Sequence, residues 1–349
     1  MEKSGLKNAA LLLTIAVFYN ILTFLCAHAD DNEVKETRYY YAGTIGDNLP
    51  IQMELIFDSG DVTGSYMYDK VGIPITLTGS LDSGTAVLSL VEQDEKGLKT
   101  GTFKGSVISE GKDFGNYIEG KWSKANGLTT LPFKLTKVAD FVSTGLSVKG
   151  KYEATYMYPS FVTGTKAGRE ISERLGKEAA SEKKKFADQA EEFFGSQESA
   201  GEWQEDYSYS IQYYSPELIS LSGEVFSYTG GAHGNTFYVS SNYWIKEDKA
   251  LLLSLADLFA PKSNYIKALS DFCIRDLRKQ QAGWVLNGEL KELKAEDLSA
   301  FAVSPGGVTF AFAPYVAGPY VEGPYFVTVG YGELKGALKP DGPLRQFLK

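Results

Sequence analysis

A chain of 349 residues with 43% hydrophobic residues has the apolar content of an ordinary globular protein and the length for two domains. Its formal net charge of −9, without a dense basic patch, argues against nucleic acid or anionic lipid as partner and suits a cationic one. In chain order the first element is a leader. Lys3 and Lys7 precede an apolar run from Ala9 to Leu25, and Ala27-His28-Ala29 follows, the order of a secretory signal with small residues at −3 and −1. This predicts a signal peptide over 1–29, cleavage after Ala29, and a secreted or periplasmic protein. The alternative is an uncleaved N-terminal anchor, since the run approaches the ~20 apolar residues that span a bilayer. No later segment is apolar enough to be a transmembrane span. Residues 1–29 carry Glu2, Lys3 and Lys7, a net +1, so cleavage leaves −10. Cys273 is then the only cysteine, which excludes an intrachain disulfide. It lies in the stripe Ile266, Leu269, Cys273, Ile274, Leu277 of an amphipathic helix, where a buried thiol acts as a small hydrophobe.

Residues 36–138 read as an all-β domain. Short strands are predicted at Thr37–Ile45, Ile51–Phe57, Val62–Tyr68, Ile73–Gly79, Thr85–Glu92, Lys99–Val107, Asn116–Trp122 and Thr130–Lys137. Gly-, Asn- and Asp-rich clusters such as Asp58-Ser59-Gly60-Asp61 and Asn126-Gly127 separate them. Alternation puts Ile73/Ile75/Leu77, Ala86/Leu88/Leu90 and Leu131/Phe133/Leu135 each on one face. The pattern predicts an antiparallel meander, closed as a barrel or folded as a sandwich. Gly101 and Gly105 around Phe103, and Gly120 before Trp122, fit strong curvature. Such a barrel is either filled by side chains or hollow enough for a small ligand. Ala139–Ser147 reads as a linker.

Residues 148–349 change pattern. A strand over Val148–Tyr158 precedes a polar helix over Gly168–Phe194, with Ile171, Leu175, Ala179, Phe186, Ala190 and Phe193 at helical spacing. Strands follow at Trp203–Tyr214, Glu217–Tyr228 and Thr236–Ile245. Leu251–Leu258 leads into a second helix, Ser263–Gln280, and strands Val308–Phe312 and Tyr325–Tyr331 frame Ala313–Tyr320. Strands and helices that do not alternate one for one predict an α+β domain with an antiparallel sheet and two main helices, and an α+β fold class for the whole chain.

The most specific segment is Tyr228-Thr-Gly-Gly-Ala-His-Gly-Asn235, where Gly230, Gly231 and Gly234 surround His233 between two strands. It resembles the turn of a family of bacterial extracytoplasmic domains of unknown function, found as the outer part of anti-sigma-V lysozyme receptors and as the non-catalytic part of peptidoglycan deacetylases. The resemblance runs from about Val148 to Leu334. It includes Phe237/Tyr238, Leu253-Ser-Leu-Ala-Asp-Leu-Phe259, Phe310-Ala-Phe-Ala-Pro-Tyr315 and Gly318-Pro-Tyr320, in that order. It implies envelope binding of a cationic, lysozyme-like protein or of peptidoglycan fragments. The deacetylase members act through a separate metal-dependent domain rich in histidine, and this chain has one histidine beyond its leader. Anti-sigma members carry a cytoplasmic segment before their membrane helix, and only a handful of residues precede the apolar run here. The β domain matches neither arrangement.

Chemistry-bearing patterns are sparse. No H-E-x-x-H, G-x-S-x-G, P-loop or EF-hand loop occurs, so no metal and no cofactor is expected. His233 reads either as a backbone-bonded member of a Gly-rich turn or as a general base oriented by a carboxylate such as Glu224. Pro314, Pro319 and Pro324 stiffen a loop that carries Tyr315, Tyr320 and Tyr325. The candidate binding residues are Tyr228, Gly230, Gly231, His233, Asn235, Tyr315, Tyr320 and Tyr325, with no catalytic residue assigned. The expected function is non-catalytic binding at the cell envelope. The alternatives are an envelope polysaccharide-processing enzyme using His233 with carboxylates, and a purely structural component.

Overall fold

A computed structural model describes residues 36–196 and 201–348, so the leader and its cleavage site lie outside the described residues. The described residues divide into two compact units, 36–141 with 160–164, and 142–159 with those from 165 onward.

The first unit is a closed antiparallel barrel. Its strands are β1 (Thr37–Ile45), β2 (Leu49–Asp58), β3 (Asp61–Tyr68), β4 (Ile75–Asp82), β5 (Val87–Gln93), β6 (Lys99–Glu110), β7 (Asp113–Lys124) and β8 (Thr130–Val148). Each strand pairs with the next, and β1 pairs with β8, which leaves no edge open in the ring. Inward positions are filled by Tyr41, Met53, Leu55, Tyr66, Leu77, Leu88, Leu90, Phe103, Ile118, Phe133 and Leu135, all almost wholly buried. The barrel is therefore a packed core along most of its length. Lys104, Glu119, Lys121 and Lys134 are exposed on the outside, the reverse of the apolar band of a lipid-facing barrel. Gly105 and Gly120 stand opposite each other on β6 and β7. A Cβ on Gly120 would lie 2.2 Å from the Lys104 carbonyl oxygen, so close backbone approach requires glycine there. Residues 139–147, expected as a linker, are instead the continuation of β8. Phe141 falls on one face and Val142, Leu146 and Val148 on the other, so no clean alternation marks the segment as a strand in sequence.

In the second unit, β9 (Tyr152–Phe161) lies parallel to β10 (Trp203–Tyr214), an arrangement the turn chemistry does not announce. β10, β11 (Leu218–Tyr228), β12 (Asn235–Lys246) and β13 (Lys249–Leu253) then form an antiparallel meander. Helix α1 (Lys166–Ser196) buries Ile171, Leu175, Ala179, Phe186, Ala190 and Phe194, one stripe at i, i+4 and i+7 spacing. Phe194 takes the deeply buried place expected for Phe193, which is half-buried and stacks on Trp203 at 4.6 Å. The Asp248 carboxylate, in the β12–β13 turn, accepts the Lys166 and Ala167 amides at 2.9 and 3.0 Å and so caps the free donors of α1.

A second sheet contains β14 (Phe301–Ser304), β15 (Gly307–Phe312) and β16 (Tyr325–Val329). Helix α2 (Tyr265–Lys279) buries Leu269, Cys273 and Leu277, and burial pushes the Cys273 thiol up to about 12. Helix α3 (Gly283–Leu286) follows. No helix among the described residues is long and apolar enough to cross a membrane.

The two sheets are joined by one buried polar node. The Ser220 hydroxyl on β11 donates to Asn242 Oδ1 on β12 at 2.6 Å and accepts the Val303 amide at 2.8 Å. Asn242 Nδ2 donates to the Phe301 carbonyl at 2.8 Å. Both side chains are essentially inaccessible to water. Asn242→Ala strands a buried carbonyl and a buried hydroxyl, each worth about 1–3 kcal/mol when left unpaired. Urea denaturation is expected to show a loss of about 2–4 kcal/mol, against under about 0.5 kcal/mol for Lys184→Ala on the solvated face of α1.

Candidate functional site

The Gly-rich turn joins β11 to β12, whose last pair is Ser227 with Asn235. Gly230 and Gly231 take φ of +97° and +103°, a region that disfavours any side chain, and this lets the chain double back within six residues. The Tyr228 hydroxyl closes the turn by donating to the Gly231 carbonyl at 3.1 Å. At Gly234 a Cβ would lie 2.4 Å from the Phe226 ring, so the ring occupies the space a side chain would need. The turn is thus pinned at both ends, and His233 stands exposed at its far side.

The proline-rich loop between β15 and β16 meets it. The Tyr320 ring stacks on the His233 imidazole with centroids 3.7 Å apart and planes 16° apart. The Tyr315 ring lies 6.4 Å from His233 and 5.9 Å from Tyr320, and its hydroxyl is 3.3 Å from His233 Nε2. On the other side of the imidazole, Nδ1 is 2.8 Å from the Gly234 carbonyl. A carbonyl only accepts, so Nδ1 carries the proton and the Nε2 lone pair faces the Tyr315 hydroxyl. Both ring nitrogens are engaged. Glu224 does not orient His233: it pairs across the strands with Tyr238, and burial raises its carboxyl above the ordinary range while the Tyr238 hydroxyl pulls it down. Among the described residues no group of three or more His, Cys, Asp or Glu side chains is placed to hold a metal.

The loop is held by a carboxylate that the sequence reading did not single out. Glu322 Oε2 accepts the Gly283 amide at 2.9 Å and the Tyr325 hydroxyl at 2.6 Å. It also fills the space above Gly318, where a Cβ would sit 2.0 Å away. Tyr325 is buried and serves as an internal strut at the start of β16, apart from the exposed rings. Tyr315, half exposed, holds a φ of +69°, costly for a side-chain-bearing residue, and its amide donates to the Gly318 carbonyl at 3.0 Å. Next to Tyr320, Val321 is 89% exposed. The result is a rigid ledge of His233, Tyr320 and Tyr315 that faces solvent. Tyr228, Gly230 and Gly231 shape the turn beneath it, and Asn235 opens β12 beside it.

Two family models match the chain in sequence. Residues 147–236 match "Deacetylase PdaC", and residues 256–332 match "Protein of unknown function (DUF3298)". The resemblance carried by the Gly-rich turn is to this pair. The turn lies in the first segment and the tyrosine loop in the second, so the ledge forms where the two meet. The peptidoglycan-N-acetylmuramic acid deacetylase PdaC of Bacillus subtilis (strain 168) is 27% identical over 134 residues, 38% of this chain and 28% of that protein. The chain thus matches under a third of that relative's length. Among solved structures, a DUF3298 family member from Bacteroides fragilis is 18% identical with a TM-score of 0.44, covering 60% of this chain and 97% of its own. A DUF3298 family protein from Pseudomonas aeruginosa PAO1, also 18% identical, has a TM-score of 0.43 and covers 58% and 93%.

His233 is the only histidine beyond residue 28, so its ring protons report on the ledge without ambiguity. Stacking on Tyr320 is expected to shift them upfield in the NMR spectrum. Glu322→Ala, which frees the loop, is expected to move them toward free histidine and to lower stability by about 1 kcal/mol, the small value reflecting an exposed carboxylate. Unchanged ring shifts in this variant would show that the loop is held by other means.

Proposed function

We propose that the α+β unit is a non-catalytic binding module of the bacterial cell envelope, with the His233–Tyr320–Tyr315 ledge as its contact surface and cell-wall glycan as its ligand. The observation that carries this reading is the partly exposed aromatic stack whose imidazole has both nitrogens engaged and, among the described residues, no carboxylate bonded to it. Such a surface offers flat rings on which the apolar faces of sugars stack, with the Tyr315 hydroxyl oxygen at its rim as an acceptor. It lacks the free acid–base pair that glycan or amide hydrolysis requires. The similarity to a protein named as a peptidoglycan deacetylase supports a wall ligand, and the leader pattern of residues 1–29 supports export.

A second reading takes a cationic, lysozyme-like protein as partner, favoured by the net charge of −9. The two differ in their response to salt. Binding of neutral glycan changes little between low and physiological ionic strength, whereas association with a basic protein slows as charges beyond a Debye length of ~8 Å are screened.

Calorimetry of the protein lacking residues 1–29, with N-acetylglucosamine–N-acetylmuramic acid oligomers and separately with lysozyme, tests both. Glycan binding insensitive to salt is expected, and Tyr320→Ala should weaken it by about tenfold or more, as removal of a central aromatic anchor does. His233→Gln should reduce it less. Release of soluble sugar or acetate from wall preparations by the unaltered protein, lost in His233→Gln, would instead establish the enzyme.

A further inference from the structure

The barrel carries a second candidate site, outside both segments that match known families. Among the described residues of this unit, four charged side chains are buried: Arg38, Glu54, Lys137 and Glu92. Arg38 pairs with Glu54 at 2.8 Å and Lys137 with Asp140 at 2.7 Å. Glu92 differs: among the described residues it meets neutral donors alone. Its Oε2 accepts the Tyr66 hydroxyl at 2.8 Å and the Trp122 indole N–H at 2.9 Å, and its Oε1 accepts the Thr100 hydroxyl at 2.6 Å.

The surrounding backbone is arranged for this carboxylate. The β5–β6 register slips beside Glu92 so that Thr100 has no opposite residue on β5, and at this bulge its hydroxyl donates to Glu92. Gly101 stands where a Cβ would lie 2.6 Å from Glu92 Oε2 and 2.9 Å from the Trp122 nitrogen. Burial, with the Glu92 charge adding to it, holds the Tyr66 hydroxyl above the ordinary tyrosine range, so it remains a donor. Three hydrogen bonds use three of about four acceptor positions on a carboxylate and supply no opposing charge. Among the described residues no ammonium or guanidinium lies within ion-pair distance of the carboxylate, whose hydrogen-bond partners are all neutral.

The location points to a ligand. In an up-and-down barrel the turns after β1, β3, β5 and β7 gather at one end. That end exposes Leu49 at the start of β2, Val71 and Ile73 before β4, Leu98 before β6 and Leu128 before β8, which is 86% exposed. Inside the same end, Tyr68, Ile75, Trp122 and Leu131 are only partly buried. Exposed apolar groups gathered around a few polar ones mark binding surfaces.

We propose that this end of the barrel binds an organic cation of the alkylammonium type. The ammonium head supplies the charge that Glu92 lacks and lies against the aromatic faces of Trp122 and Tyr68, which attract cations. The apolar body rests on Val71, Ile73, Leu98 and Leu128.

The test compares three probes of equal chain length: hexylammonium, hexanol and hexanoate. Each is titrated into the purified protein, with binding followed by calorimetry and by the Trp122 indole N–H signal in the NMR spectrum, assigned with Trp122→Phe. Hexylammonium is expected to shift that signal saturably and to bind at least about tenfold more tightly than hexanol, with hexanoate weakest. Glu92→Gln, which preserves side-chain size, is expected to bring hexylammonium and hexanol within about twofold of each other. Equal binding of these two probes by the unaltered protein would mean that the apolar rim acts alone and would overturn the proposal. So would the absence of any shift at Trp122. The head-group comparison on the unaltered protein decides the matter even if Glu92→Gln fails to fold.

Discussion

The aromatic ledge depends on a pair of buried hydrogen-bonding side chains some distance along the chain from it. The Gly-rich turn belongs to β11 and β12, and the tyrosine loop belongs to β15 and β16, in a different sheet. Ser220 and Asn242 join these sheets through the backbone of β14. In a dry interior each of these polar atoms is expensive to leave unpaired, so the node admits one docking of the two sheets. With the sheets fixed, His233 and Tyr320 meet at stacking distance. Glu322 then sets the loop locally by binding the Gly283 amide and the Tyr325 hydroxyl together.

The barrel meets a different constraint. Closing β1 onto β8 satisfies the sheet edges, and large rings fill its interior: Tyr66, Phe103 and Phe133 pack edge-to-face in sequence at 5.2 Å. Filling the centre so completely leaves only the ends for polar chemistry. At one end the Lys137 ammonium closes the structure, bound to Asp140 and to the Phe114 carbonyl. At the other, Glu92 is held by neutral hydrogen-bond donors, with no cation in contact with it among the described residues. Equal burial therefore gives two electrostatically different ends.

Tyrosine serves two purposes in this chain. Most of the cluster on β10 is structural: the Tyr207 and Tyr209 hydroxyls both donate to Glu178 of α1, at 2.6 and 3.0 Å, and Tyr156 donates to Glu205 at 2.7 Å. A ring there fills the layer between sheet and helix, and its hydroxyl satisfies a carboxylate on the way out. Burial, followed by the neighbouring tyrosine and carboxylate, raises the Tyr207 hydroxyl, which keeps it a donor. Tyr315 instead exposes half of its surface to solvent, and Tyr320 is half-buried with one face against His233. Residue type alone does not distinguish these uses, because both exploit a rigid apolar ring with one polar atom.

The local pattern was enough to set most strands, both long helices, the α+β class and the position of the Gly-rich turn, but not the short strands β13 and β14, whose few residues carry no alternation of their own. Periodicity of two or of 3.6 and the backbone demands of glycine are properties of neighbouring residues. β1 and β10 begin and end where alternation and turn residues place them. The barrel, against the sandwich, was decided by the β1–β8 pairing, a contact between residues about a hundred positions apart that no local signal encodes. The continuation of β8 through 139–147 has no clear local signal, because its mix of polar, small and apolar residues becomes a strand only through pairing with neighbouring strands. At the ledge, His233 and the tyrosine loop were each visible as candidates. Their stacking, the withdrawal of Tyr325 into the interior and the part played by Glu322 were decided by tertiary structure, because a hydrogen bond or a ring stack between distant segments depends on where two sheets dock.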